Sequence, residues 1–223
     1  PFFTVLILYT SPRIFAESFY NNKDIVFMSL LIYSIYFAIR FLKNVNYKNA
    51  LFFAFALAIT INIRVIGIYL LLIFILFLLI KTSMQKSYIK NYKQFIFFLI
   101  FFLLLSYSFW PFLWEAPIEN LLYSLKSFSK YEWGLNVFYL GDFYLDRYLP
   151  WHYFYVLFFA TNSLFLTLII VFGLIVILFR FVNRFINIDK NKLSNDLWKG
   201  NKESIILFLF FTAVTPLFLV YLF

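Results

Sequence analysis

Long apolar runs, separated by short polar segments, limit what this chain can fold into. Of its 223 residues, 64% are hydrophobic and only 13% are charged, whereas a soluble domain carries about 25% charged residues. A water-soluble chain of this composition would expose large apolar patches and aggregate. The sequence therefore predicts an integral membrane protein. In such a protein the net charge of +9 first indicates topology, so we do not expect nucleic-acid binding.

A helix needs about 20 mostly apolar residues to cross the hydrocarbon core of a bilayer. The runs predict an all-α fold, a polytopic transmembrane helix bundle with about seven spans, at 1–10, 25–41, 49–63, 65–80, 94–110, 153–179 and 204–223. We interpret residues 1–223 as a single transmembrane domain. Because the chain starts and ends inside apolar runs, we expect it to be an internal fragment of a longer protein. A polar break, Thr161-Asn162-Ser163, lies in the sixth run.

Arg64 divides an apolar stretch, residues 49–80, that as one helix would be about 48 Å long and too long for one span. If the helix breaks there, loops 40–48, 81–93 and 180–203 share one side of the membrane and carry 13 of the 19 Lys and Arg residues. The other side holds seven of the ten acidic residues. The positive-inside rule places the basic loops in the cytoplasm. We therefore expect the loops 11–24 and 111–152 to face outside.

Both outer loops are predicted to hold helices that lie in the membrane interface. Ser11-Pro12 is typical of an N-cap followed by proline at the first helical position, which turns Arg13 and Glu17 to water. Pro117 opens a second helix, whose apolar face is formed by Ile118, Leu121, Leu122, Leu125 and Phe128. Glycines at 134 and 141 break the segment that follows.

Asp24 and Arg64 are the strongest candidates for chemistry, because Asp24 stands at the outer start of a span and Arg64 lies midway through a 32-residue apolar run. Asp24 is predicted to be the N-cap of the second span or, beside Lys23 and Arg13, a carboxylate that orients a cationic or hydroxylated ligand, and the two roles are compatible. A charge deep in lipid costs several kcal/mol. Arg64 therefore either snorkels to the head groups or binds phosphate oxygens through its planar fork.

The other candidates surround the end of the long outer loop. Trp151 and Tyr153 fit an aromatic belt at the interface and equally fit stacking on a sugar, with the lone His152 between them. Glu115 is a solvated loop charge or part of the same pocket. No cysteine is present, so a thiol metal site is excluded. No metal ligands are predicted, although carboxylates leave a divalent metal as an open alternative.

Five segments together resemble the multi-span glycosyltransferases of the GT-C superfamily: SPRIFAESFYNNKD, ALAITINIRVIGI, WPFLWEAP, YLG and RYLPWHYFYV. The similarity extends over about residues 11–173. It is greatest to the bacterial relatives of dolichyl-phosphate-mannose protein mannosyltransferases and of lipid A aminoarabinose transferases. Asp24, Arg64 and the Pro-Trp-x-Tyr run that ends at Tyr153 match features of that family. The family usually has Thr-Pro in the next span, whereas here Thr161 is followed by Asn162.

The resemblance implies inverting transfer of a sugar from a polyprenyl-phosphate donor, at the outer face of a bacterial inner membrane, to a protein, lipid or glycan acceptor. It implies that Arg64, then Arg13 and Lys23, bind the donor phosphate. Trp151, His152, Tyr153 and Glu115 would line the sugar or acceptor pocket. The family's main catalytic carboxylate lies in an outer loop that would precede Pro1, which leaves Asp24 as the candidate here.

Two other functions fit the composition. A transporter or flippase for a lipid-linked glycan would share the charged interface, although it needs a polar route through the bundle, and the spans hold few ionisable residues besides Arg40 and Arg64. A membrane scaffold without a site is the other alternative. It predicts that Arg64 affects only topology.

Overall fold

A computed structural model describes residues 2–84, 91–129, 134–145, 148–186 and 201–222. The described chain is mostly helical. Its helices are α1 (Phe2–Thr10), α2 (Pro12–Tyr20), α3 (Asp24–Lys43), α4 (Tyr47–Ile63), α5 (Ile68–Met84), α6 (Tyr92–Phe109), α7 (Pro117–Ser129), α8 (Tyr153–Thr161), α9 (Leu164–Ile186) and α10 (Asn201–Leu222). Short 3-10 turns at Val65–Gly67 and Pro111–Leu113 follow α4 and α6.

The centre of the bundle is formed by α3, α4 and α6, with α5 and α10 packed beside them. Its core consists of phenylalanine rings that interlock across the helices. Phe53 of α4 stacks on Phe98 of α6 with ring centroids 4.7 Å apart, and both rings contact Phe74 of α5. Offset-stacked and edge-on rings are favourable beyond their buried area, so these contacts hold the helix that ends at Arg64.

The predicted break at Arg64 is confirmed. α4 ends at Ile63, and Arg64 takes an extended conformation before the chain resumes as α5. The turn packs closely, because a Cβ at Gly67 would lie 3.1 Å from the Thr60 side chain. Thr60 in turn shares a buried hydrogen bond with Ser34 of α3, with 2.8 Å between the hydroxyl oxygens. The position of Arg64 is thus fixed by tight contacts on both sides of the break.

At the opposite end, a short turn joins α3 to α4 through asparagine amides. The Asn46 side chain accepts the Asn49 backbone N–H at 2.8 Å and so caps α4. The buried Asn49 side chain donates to the Asn44 carbonyl at 2.8 Å and to the Arg40 carbonyl at 3.4 Å. The Arg40 carbonyl also accepts the Asn44 backbone N–H at 3.0 Å, so the shorter Asn49 bond mainly supplies a donor to the Asn44 carbonyl, and it ties the start of α4 to the end of α3.

The long outer loop contains both a confirmed and a missed element. The predicted helix that begins at Pro117 is confirmed as α7. The all-α prediction omitted a hairpin in which strand β1 (Asn136–Tyr139) pairs antiparallel with β2 (Asp142–Leu145). Leu140 and Gly141, both with positive φ, form its two-residue turn. Such turns match the right-handed twist of the strands, and leucine is an uncommon residue there.

The run predicted as one span at 153–179 is two helices. α8 ends at Thr161, the chain is extended at Asn162, and Ser163 begins α9 with its hydroxyl accepting the Leu166 N–H at 3.3 Å. The predicted polar break is confirmed, although no proline is present.

Two helices in the described ranges, α3 and α6, are long and apolar enough to cross a membrane. The shorter apolar helical stretches are Tyr47–Ile63, Val65–Leu79, Leu164–Phe179 and Ile205–Pro216. The count of seven spans stays a prediction.

Candidate functional site: an ion pair at the outer ends of two helices

Asp24 and Arg64 form an ion pair between Asp24 Oδ1 and Arg64 Nη2. The antiparallel arrangement of α3 and α4 puts the first residue of α3 beside the residue that follows α4. The two side chains are 52% and 37% exposed. An ion pair this exposed contributes only about 0–1 kcal/mol to stability, so its main effect is to orient the two groups.

The guanidinium of Arg64 is engaged at one edge. Its Nε is buried and has no hydrogen-bond partner in the described part of the chain. A guanidinium has five N–H donors and no acceptor, so the pairing with Asp24 leaves donors available. Planar pairs of such donors match the oxygens of a phosphate group. The arrangement can hold an anion next to a fixed carboxylate.

Asp24 is the first residue of α3 and does not cap it through its side chain. Instead the Asn21 Oδ1 accepts the Asp24 backbone N–H at 3.0 Å, and the Asn21 Nδ2 donates to Asp24 Oδ2 at 2.9 Å. The same Nδ2 donates to Glu17 Oε2 at 2.7 Å. The sequence did not indicate Asn21 as the partner of Asp24, or Glu17 as the partner of Asn21, since an Asn-Asn-Lys-Asp turn is ordinary before a helix.

The predicted helix in the first outer loop is confirmed as α2, with Ser11 before it and Pro12 at its first position. The expectation that Arg13 and Glu17 simply face water is corrected. Arg13 stays exposed but its Nη1 donates to the Thr161 hydroxyl at 2.7 Å, and Glu17 is half-buried against Asn21. Arg13 thereby ties α2 to the end of α8 and does not pair with Asp24.

α7 contacts the turn at Val65–Gly67 that follows Arg64. Its start is tied to α6 through the segment between them. The Asn120 amide donates to the Phe112 carbonyl at 2.5 Å, and the Trp114 indole donates to the Tyr107 carbonyl at 2.7 Å. This outer-loop helix therefore lies against the element that carries Arg64. Glu115 sits exposed just before α7, and Lys23 is exposed beside Asp24.

His152 and Tyr153 lie against the hairpin. The buried Tyr139 ring is 5.7 Å from the His152 ring and 5.1 Å from the Tyr153 ring, measured between centroids. Trp151 is largely exposed and contacts the His152 ring edge-on. Tyr139 was not predicted as a site residue. It is separated from His152 and Tyr153 in sequence, and the hairpin brings it into contact with them.

Tyr139 has a phenol hydroxyl that is buried and has no hydrogen-bond partner within the described ranges. Burial raises the pKa of Tyr139 above its usual value, and the neighbouring phenols of Tyr144 and Tyr153 raise it further. The hydroxyl therefore stays protonated as a potential donor. The described residues include no group of three or more His, Asp or Glu side chains that could hold a metal ion.

Comparison with known families identified one match. The family model described as dolichyl-phosphate-mannose-protein mannosyltransferase matches residues 2–110, the part of the chain that contains Asp24, Arg64 and α1–α6. No curated protein and no solved structure matched the chain. The resemblance to this mannosyltransferase family is thereby confirmed over residues 2–110, while Trp151, His152 and Tyr153 lie outside the match. The match covers 109 of the 223 residues, just under half of the chain.

Proposed function

We propose, from the family match over residues 2–110 and the ion pair inside it, that the chain is a glycosyltransferase domain that moves a sugar from a polyprenyl-phosphate donor to an acceptor at the outer face of the membrane. The acceptor is a hydroxyl or amine of a protein, lipid or glycan. A bacterial inner membrane is the proposed location.

In the proposed reaction the acceptor oxygen or nitrogen forms a bond to the anomeric carbon while the bond from that carbon to the phosphate oxygen breaks. The electron pair of the broken bond leaves with the lipid phosphate. The acceptor's proton passes to a carboxylate that acts as general base. Negative charge therefore grows on the leaving phosphate, and fixed cationic donors aimed at that charge lower the barrier.

Arg64 is the proposed donor to that phosphate. Its guanidinium lies at the outer end of α4, where a lipid-linked phosphate would reside, and its free donors can bind two oxygens. Asp24 has one oxygen on Arg64 and the other on Asn21. We therefore assign Asp24 to holding Arg64 in place, in preference to accepting the proton. Arg13 and Lys23 remain secondary phosphate candidates. His152 and Tyr153, with Tyr139, are the proposed wall of the sugar or acceptor pocket.

The test is transfer from a radiolabelled polyprenyl-phosphate sugar in membranes that contain the full-length protein. Arg64→Ala is expected to lower kcat about 100- to 1,000-fold, because one transition-state donor is lost. Arg64→Lys keeps the positive charge but loses the planar, two-pronged guanidinium. Its rate should therefore fall between those of the wild type and Arg64→Ala. Lys48→Ala, at the opposite end of α4, is the matched control and should transfer at the wild-type rate.

A scaffold would give equal rates for the wild type, Arg64→Ala and Lys48→Ala, which would refute the assignment. A flippase would move the lipid-linked sugar between leaflets without forming a new glycosidic bond. Mass analysis of the products separates that outcome from transfer.

A further inference from the structure

Asn21 lies between two carboxylates and touches both. Its Nδ2 donates to Glu17 Oε2 at 2.7 Å and to Asp24 Oδ2 at 2.9 Å, and its Oδ1 accepts the Asp24 backbone N–H at 3.0 Å. Each hydrogen of the amide nitrogen thus goes to a different carboxylate. The backbone N–H of Asn21 donates to the Glu17 carbonyl at 2.8 Å. This bond fixes the backbone of Asn21 and therefore the position of its Cβ.

Only one orientation of the Asn21 amide satisfies these neighbours. Rotating the amide by half a turn would put its oxygen against two carboxylate oxygens and its nitrogen against an N–H group. Carboxylates only accept hydrogen bonds and the backbone N–H only donates. The amide is therefore locked, and it presents two donors where two negative charges converge.

The two carboxylates beside Asn21 need hydrogen-bond donors, because one cation does not balance both charges. Glu17 and Asp24 both lie within hydrogen-bond distance of the same nitrogen, whereas in the described part of the chain Arg64 forms an ion pair with Asp24 and not with Glu17. Like charges this close are unfavourable, and hydrogen bonds donated to the two carboxylates offset that repulsion. The Asn21 amide holds Asp24 Oδ2 and so leaves Oδ1 directed at Arg64.

We propose that Asn21 is a positioning residue for the Asp24–Arg64 pair, with Glu17 fixing the orientation of its amide. Asn21 touches neither donor nor acceptor and acts through Asp24. Its effect on turnover rests on the proposed transfer reaction, in which Arg64 must meet the charge that grows on the leaving phosphate. The hydrogen-bond network itself does not rest on that function.

The alternative role for Asn21 is a helix cap, and one substitution separates the two roles. Asn and Asp cap helices about equally well, so Asn21→Asp keeps an oxygen for the Asp24 N–H. It removes the two amide donors and adds a third carboxylate to the cluster. Asn22→Asp is the matched control, because it adds the same charge at an exposed neighbouring position.

Transfer kinetics of the full-length protein are expected to distinguish these variants. Asn21→Asp should lower kcat/KM about 100-fold, the scale of a misplacement of about 1 Å. The loss should fall on kcat, because Arg64 acts on charge that develops in the transition state. Glu17→Gln with Asn21→Asp restores the net charge and an amide donor, so it should recover about tenfold of the loss, the scale of one charge-assisted hydrogen bond. Asn22→Asp should match the wild type.

Melting temperatures of the same proteins in detergent give a readout that does not need transfer. The network predicts that Asn21→Asp melts below Asn22→Asp and that Glu17→Gln restores much of the difference. Equal melting of Asn21→Asp and Asn22→Asp would overturn the proposal, as would a kinetic loss that Glu17→Gln does not recover. If the wild type transfers no sugar, the proposed function fails, and the melting series alone then decides the role of Asn21.

Discussion

The polar residues at the outer face form small, separate groups with different partners. Asp24 meets Arg64 and Asn21, Arg13 meets Thr161, and Tyr139 meets His152. The Asp24–Arg64 pair contributes little to stability, because an ion pair this exposed is worth about 0–1 kcal/mol. Asp24→Asn or Arg64→Lys should therefore change rates far more than stability. An activity loss in these variants can be interpreted without invoking unfolding.

Tyr139 gives a prediction at the same scale. Its buried hydroxyl lacks a partner among the described residues, and an unsatisfied buried polar group opposes folding. Tyr139→Phe should therefore melt at a higher temperature than the wild type in detergent. Tyr144→Phe, in the same hairpin but only half-buried, is the control and should melt like the wild type.

Tyr139→Phe should also change how stability depends on pH under alkaline conditions. The pKa of Tyr139 is raised in the folded state. Between its usual value and the raised one, the unfolded chain loses the phenol proton while the folded chain keeps it, so stability falls as pH rises. Tyr139→Phe lacks this contribution, and its advantage in melting temperature should widen above about pH 10. A lower melting temperature at neutral pH would show that the hydroxyl has a stabilising partner.

At the scale of elements, the geometry of the site depends on how α3 and α4 are joined. The two helices run antiparallel. Hydrogen bonds of the Asn46 and Asn49 side chains hold the turn between them, at the end away from Arg64. The break after α4 is held by the close approach at Gly67 and by the Ser34–Thr60 hydrogen bond. Both ends of the helical pair are therefore constrained independently of the ion pair.

Asn49→Ala tests the constraint at the far end. It removes the buried side-chain amide that donates to the Asn44 carbonyl, so the free energy of unfolding should fall by about 1–3 kcal/mol. Denaturant unfolding in mixed micelles measures this change. Asn44→Ala, at an exposed position of the same turn, should stay within about 0.5 kcal/mol of the wild type. Transfer per folded molecule should be unaffected, and a specific loss would show that this turn communicates with the site.

At the scale of the whole molecule, the question is which ends of the helices share a compartment. Asp24, Arg64 and the hairpin are assigned outside by the distribution of Lys and Arg. The antiparallel pair α3–α4, with Asp24 and Arg64 in contact, agrees with a common side for those two residues.

The chain has no cysteine, so single cysteines report topology without further changes. In intact cells, Asp142→Cys in the hairpin should react with a membrane-impermeant maleimide, because its position is exposed and assigned outside. Lys48→Cys, at the basic end of α4, should react only after the cells are opened. Labelling of both in intact cells, or of neither, would contradict the proposed orientation.

The amino-acid sequence was enough to predict the class of protein, the main helices and the break at Arg64. Apolar runs and isolated charges have energetic consequences in lipid that hold whatever the neighbours are. For the same reason it identified Asp24 and Arg64 as candidates, one by one. The hairpin was not predicted, because Leu140 occupies a turn position at which Asn, Asp or Gly is usual.

Which of these candidates contact one another depends on the fold. Asp24 and Arg64 are 40 positions apart in the chain. They form a pair because the turn held by the Asn49 hydrogen bond makes α4 run back antiparallel to α3. Arg13 was one of several cations near the interface until α8 brought Thr161 to it. Asn21 looks like any turn asparagine in sequence, and its two carboxylate partners are near neighbours in the chain, four residues before it and three after it. Pairing depends on distance in space, which a local pattern of residues does not encode.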